Sequence, residues 1–196
     1  MPITIDGNGT ITGVSVGGLP DGIVDADMIA AGAVTAAKRG AGAILQVVQS
    51  SKTDTDSVTG MTYDDLGLSV TITPTSATSK ILIACYASIS ASSGFDCSLR
   101  LLRGSTPISV GDADVSRTRS STTFTGNWTT VTYARQNVAI NYLDSPATTS
   151  ATTYKIQGRT YQSNVVVYIN QGHLDTDSAA YEARAASSII AMEVAA

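Results

Sequence analysis

The segment Leu68-Ser69-Val70-Thr71-Ile72-Thr73, closed by Pro74, alternates apolar and hydroxyl side chains with a period of two, and that period governs the chain after residue 44. It puts apolar groups on one face of an extended strand and hydroxyls on the other, whereas a helix would scatter them around its circumference. Further strands are predicted over Ile44 to Gln49, Ile81 to Ser90, Cys97 to Arg103, Thr122 to Tyr133, Val138 to Leu143, Thr152 to Tyr161, Asn164 to Asn170 and Ser187 to Val194. Turn formers such as Arg103-Gly104-Ser105-Thr106-Pro107 and Asp144-Ser145-Pro146 separate them, and no ten-residue helical pattern intervenes. Residues 44–196 therefore read as an all-β domain, an antiparallel β-sandwich or jelly roll. Alternation also predicts three inward sets: Ile81, Ile83 and Cys85; Cys97, Leu99 and Leu101; Ile190, Met192 and Val194. Cys85 and Cys97 thus read as small core residues on neighbouring strands, with a disulfide between them as the alternative, and the last strand is expected to tie the end of the sequence into the sheet.

Residues 1–43 hold more than half of the chain's 17 glycines and few large side chains, so they cannot build a core of their own. Asp6-Gly7-Asn8-Gly9, between Ile5 and Ile11, predicts a short hairpin. A near-repeat follows, with glycines at 22, 32 and 42, each opening an apolar pair and about one turn of alanine-rich helix former. The region is expected to form an extended Gly/Ala-rich arm with short β and helical turns. Its narrow apolar edge, Ile23, Val24, Met28, Ile29 and Val34, calls for a partner: either identical arms wrapping together or a groove on a larger assembly. A linker with accidental periodicity is the alternative.

Only 14% of residues are charged, the net charge is -4, and serine and threonine make up about a quarter of the chain. No run of basic residues is present, so no nucleic-acid partner is expected. No apolar stretch approaches the ~20 residues of a membrane span, and no secretion leader is visible, so neither membrane insertion nor export is expected. The single histidine, His173, sits in a turn, and the signatures of common hydrolases, metalloproteases and nucleotide-binding loops are missing. The expectation is a non-enzyme without cofactor or metal. The pairs Asp54/Asp56, Asp112/Asp114 and Asp175/Asp177 read as turn residues, with calcium held between two pairs as the alternative. Trp128, Tyr133 and Tyr161 are the candidate contacts for a surface ligand such as a glycan.

Several phrases occur in a fixed order. They are Gly42-Ala43-Ile44-Leu45-Gln46-Val47-Val48-Gln49, Tyr63-Asp64-Asp65-Leu66-Gly67-Leu68 running to Pro74, and Ser79-Lys80-Ile81-Leu82-Ile83. Leu101-Leu102-Arg103-Gly104, Leu143-Asp144-Ser145-Pro146 leading to Tyr154-Lys155-Ile156, and Ser188-Ile189-Ile190-Ala191-Met192-Glu193-Val194 complete the order. In these the chain resembles bacteriophage virion proteins of the tail-fibre type, common in phages of aquatic bacteria. The resemblance implies a virion structural protein assembled in the host cytoplasm, usually a homotrimer. Residues 1–43 would anchor it to other tail, baseplate or capsid proteins, and residues 44–196 would present host-facing loops for attachment. A capsid decoration (cement) protein stabilising the head is the rival expectation, and a free carbohydrate-binding module the third. On this reading Leu68 to Thr73 and the strand opened by Ser79-Lys80-Ile81 are sheet neighbours, and Leu143-Asp144-Ser145-Pro146 begins a crossing loop.

Overall fold

The long strand β6 (Lys80–Ala91) is the spine of a six-stranded antiparallel sheet. The computed structural model describes residues 4–5, 11–12, 33–34, 38–94, 96–125, 135–177, 180 and 182–196, and these are all-β. One edge of β6 pairs with β10 (Gln136–Asp144). Its other edge is shared: β13 (Ser187–Val194) covers Lys80 to Tyr86, and β12 (Val166–Ile169) covers Ile89 to Ala91. Outside these, β3 (Ile44–Lys52) pairs with β13 and β4 (Asp56–Thr59) with β12. The second sheet runs β5 (Asp64–Ile72), β11 (Thr152–Thr160), β7 (Asp96–Arg103), with β8 (Thr106–Ile108) and β9 (Thr122–Thr125) sharing the far edge of β7. The two sheets pack as a β-sandwich.

Alternation fills the space between them. Leu66, Leu68, Val70 and Ile72 of β5 and Leu99, Leu101 and Ile156 from one sheet, with Ile81, Ile83, Ile89, Val167 and Ile189 from the other, form one buried cluster. Apolar area withdrawn from water at about 25 cal/mol per Å² makes this cluster the main source of stability. Gly67 interrupts β5 with φ +69, at a register irregularity opposite Ile156. The backbone angle favours glycine at this bulge, and a Cβ there would fall 2.8 Å from both Lys52 Nζ and Asp56 Oδ2, so a side chain would also have to displace those two groups.

The structure corrects four expectations. On β13 the inward residues are Ser187, Ile189, Ala191 and Glu193, while Ile190, Met192 and Val194 face outward. Polar anchors fix this register: Ser187 Oγ donates to Asn170 Oδ1 at 2.6 Å, and the Glu193 carboxylate accepts from Gln46 Nε2 (2.6 Å) and from Thr75 N and Oγ1 (2.7 Å each). Second, β5 and β6 lie in opposite sheets, because the chain crosses over at Thr73 to Ser79 and Glu193 holds that crossing through Thr75. Third, Cys85 and Cys97 also lie in opposite sheets; both are buried, and burial pushes each thiol up to about 12. Finally, β4 and β8 are short strands that the sequence does not predict, because neither carries a recognisable alternation; of the strand expected over Thr122 to Tyr133, Thr122–Thr125 forms β9 and residues 126–133 lie outside the described residues.

The ordered phrases meet in space. Arg103 on β7 places Nη1 2.9 and 3.0 Å from the two oxygens of Asp144 on β10, and Tyr154 Oη on β11 donates to Asp144 Oδ2 at 2.7 Å. Asp144 is 3% exposed and Tyr154 fully buried, so this charged knot links the two sheets inside the sandwich. Burial and the Asp144 hydrogen bond raise the Tyr154 hydroxyl far above the usual tyrosine range.

By contact density the chain divides into Met1–Arg39 and Gly40–Ala196. The first unit contains β1 (Thr4–Ile5) and β2 (Ile11–Thr12), an antiparallel pair at the expected hairpin. Of the candidate arm residues, Val34 is half exposed, and Ile23, Val24, Met28 and Ile29 lie outside the described residues.

Candidate functional site

The outer face of the second sheet carries an unusual pair of positions. Antiparallel pairing sets Gln157 opposite Arg100 and Arg159 opposite Ser98, which places Arg100 and Arg159 as diagonal neighbours on the side away from the core. Tyr63, just before β5, lies over them: its ring centroid is 4.1 Å from the Arg100 guanidinium carbon and 5.6 Å from that of Arg159. Pro107 of β8 and the loop from β8 to β9, with Val110, Arg117, Thr118 and Arg119, close the other side, leaving an open cavity of about 470 Å³. Four of the chain's eight arginines line it. The sequence contains no basic run, and the cations meet only in the folded chain. Two strands and one loop, distant in the chain, deliver one charge type to one place.

Each inner arginine is tethered by neutral acceptors. Arg100 donates Nε (3.0 Å) and Nη2 (2.7 Å) to Gln157 Oε1. Arg159 donates Nε to Thr160 O (3.2 Å) and Nη1 to Thr118 Oγ1 (2.8 Å), and Arg119 donates Nε to Gly111 O (2.6 Å). Among the described residues, none of these three has a carboxylate within 4.0 Å, whereas Arg117 pairs with Asp114 at 2.8 Å on the rim. Asp65 reaches Arg100 through an intermediate: Gln157 Nε2 donates to Asp65 Oδ1 and Lys155 Nζ pairs with Oδ2, both at 2.7 Å. Burial opposes ionisation of Asp65, and these hydrogen bonds outweigh it, so its carboxyl lies below the usual range.

Tyr63 Oη donates to Arg119 O (3.2 Å), which makes Ser98 Oγ the donor in the 2.9 Å bond between the two hydroxyls. Burial raises the Tyr63 hydroxyl above its ordinary value, so it stays neutral near pH 7. Ser109 (φ 53) and Val115 (φ 47) hold left-handed backbone in the arginine-bearing loop. Val115 is β-branched and fully exposed, so burial of its side chain does not offset the strain.

Of the expected ligand contacts, Tyr161 is half-buried at the border of this cavity, 4.8 Å under the Arg159 guanidinium, and Trp128 and Tyr133 lie outside the described residues. In each Asp pair at least one carboxylate meets a cation: Asp54 meets Lys52 at 2.9 Å, Asp114 meets Arg117, and Asp175 meets Arg184 at 2.8 Å. Among the described residues no three metal-binding side chains converge. His173 lies between β12 and β13 with its ring 5.9 Å from Tyr168. The residues missed by sequence reasoning are Tyr63, Arg100, Arg119 and Arg159. Their only sequence signal is Arg117-Thr118-Arg119, two arginines around one threonine in a loop of a charge-poor chain.

A second surface feature lies on the opposite sheet. Val47, Met192, Leu82 and Leu143 are consecutive cross-strand partners along β3, β13, β6 and β10, with Ile190, Ala84 and Tyr86 beside them. Val47, Tyr86 and Leu143 are about half exposed. No protein-family model matches the chain, and no curated protein matches it.

Proposed function

We propose that this chain is a non-enzymatic virion structural protein, a short phage tail fibre or appendage. It attaches through residues 1–43, associates as a homotrimer, and uses its β-sandwich to adhere to the host surface. The observation that carries the adhesive half is the arginine-lined cavity beside Tyr63 and Tyr161, where tethered cations face solvent without carboxylate partners. Repetition of one modest contact on several copies gives strong net attachment without a deep pocket. The order of the phrases supports the virion assignment, and the geometry supplies a physical reason for two of them: Arg103 from one and Asp144 and Tyr154 from the other form one buried tie. The apolar row Val47–Met192–Leu82–Leu143 supports association with neighbouring subunits.

The same apolar row favours a second reading, decoration of a capsid, where the neighbour is a capsomer. Copy number separates the two. Quantitative mass spectrometry of purified particles, with heads and tails separated, is expected to find tens of copies in the tail fraction. Hundreds in the head fraction would establish decoration, and absence from particles would remove both virion roles.

A further inference from the structure

We infer that the arginine cavity is an oxyanion site, and that its ligand is a phosphate-bearing sugar of a surface polysaccharide. The inference rests on the adhesive reading above and names the ligand of that site.

The first argument is charge. Arg100, Arg119 and Arg159 bring three guanidinium groups to one cavity in a chain of net charge -4, and their tethers are the neutral oxygens of Gln157, Thr118, Thr160 and Gly111. Gathering like charges costs free energy, and surface pairs elsewhere in the molecule, such as Arg184 with Asp175, show that carboxylates were available to neutralise them. A multiply charged anion supplies the missing countercharge.

The second argument is donor geometry. In all three arginines Nε is spent on an anchoring bond, while terminal nitrogens remain: Nη1 of Arg100, Nη2 of Arg159 and both on Arg119 lack protein acceptors among the described residues. The side chains are held in place with donors to spare, so little rotamer entropy remains to be lost on binding. A planar carboxylate is satisfied by one guanidinium fork, and two arginines would be left over. A phosphate ester carries three terminal oxygens and close to two charges, matching donors that arrive from β7, β11 and the β8–β9 loop.

The third argument is space. A cavity of about 470 Å³ lies within the range of small-molecule sites, ~300–1,000 Å³, and exceeds the need of a bare ion. Pro107 and Val110 give apolar wall beside the cations, suited to the body of a sugar ring.

Isothermal titration of the full chain with glucose 6-phosphate, glucose, glucuronate, inorganic phosphate and a single-stranded oligonucleotide tests this. Glucose 6-phosphate is expected to bind with an affinity that falls as salt rises, at least about tenfold more tightly than glucose or glucuronate. The Arg100→Ala/Arg159→Ala double variant is expected to lose at least about tenfold, with the more conservative Arg159→Lys falling between and Lys80→Ala unchanged. Unchanged unfolding midpoints confirm that the variants fold; should the double variant fail to fold, Arg159→Lys alone decides. Equal binding of glucose, or full binding by the folded double variant, overturns the oxyanion site. Inorganic phosphate binding as tightly as glucose 6-phosphate overturns the sugar assignment, and tighter binding of the oligonucleotide overturns the polysaccharide assignment. If glucose 6-phosphate fails to bind while the chain is found in tails and blocks adsorption, the ligand is wrong and the adhesive role stands. Binding by a chain absent from particles gives the reverse.

Discussion

Two arginine sites on the same strands are built in opposite ways. Arg103 and Arg100 lie three residues apart on β7, opposite Tyr154 and Gln157 of β11. Arg103 enters the sandwich, meets both oxygens of Asp144, and shares that carboxylate with Tyr154. Arg100 stays outside, bonds the neutral amide of Gln157, and lies against Tyr63 beside Arg159. Inside, a cation must be paired, because an unpaired charge in low dielectric costs several kcal/mol. Outside, water screens the charge and an unpaired cation is tolerated, so the arrangement is free to serve a ligand. Pairing status separates an arginine that holds the fold from one that is available for binding.

That contrast breaks most visibly at Asp144. Asp144→Ala leaves Arg103 without its carboxylate and the buried Tyr154 hydroxyl without its acceptor, and is expected to cost about 2–3 kcal/mol, discounted from the fully buried case because Arg103 is 32% exposed and keeps its bond to Ser145 O. Urea denaturation measures it, and a loss below about 0.5 kcal/mol would erase the distinction between the two arginine sites.

Glu193→Gln is expected to cost about 1–2 kcal/mol at pH 7 and to flatten the acid limb of stability. Burial opposes ionisation of Glu193, but hydrogen bonds from Gln46, Ser79 and Thr75 outweigh it and hold the carboxyl below its ordinary value of 4.5. Because the folded value is the lower one, this stabilisation is present above about pH 4.5 and lost as the pH falls through the folded value. Unfolding midpoints measured from pH 7 to pH 3 should fall in the parent and fall less in the variant.

Tyr154→Phe removes one charge-assisted hydrogen bond and is expected to cost about 1 kcal/mol. Its folded hydroxyl is raised above the ordinary 10.0, so the parent's stabilisation is intact below pH 10 and declines as the pH rises beyond it. An alkaline titration that leaves parent and variant parallel would show that neither burial nor Asp144 raises the hydroxyl.

The smallest effect belongs to the cavity. Arg159→Ala is expected to lie within about 0.5 kcal/mol of the parent, because the lost bonds to Thr118 and Thr160 are partly offset by relief of repulsion from Arg100. A loss above about 2 kcal/mol would make Arg159 another structural arginine, and the cavity would cease to differ from the knot.

Much of the sandwich was legible because alternation is a local property. Leu66, Leu68, Val70 and Ile72 reach the core from a pattern visible in one stretch of chain. The same rule misassigned β13, where Ile190, Met192 and Val194 compete with Ile189 and Ala191 for the inward face. Apolar residues occupy both alternations there, and the choice falls to Ser187 and Glu193, whose partners Asn170 and Thr75 lie 17 and 118 positions away in the chain. The candidate site was less legible still. Tyr161 drew attention as an aromatic, but Arg100 and Arg159 look ordinary until β7 and β11 pair and set them on one face.

The sequence by itself determined an all-β chain, the inward faces of β5, β6 and β7, and the crossing after Asp144, because period, turn residues and proline act over a few neighbouring positions. Tertiary structure alone decided which sheet each strand joined, which face of β13 went inward, and which arginines were neutralised. Those outcomes depend on hydrogen bonds and charge pairings between residues up to 147 positions apart, and proximity of that kind exists only once the chain has folded.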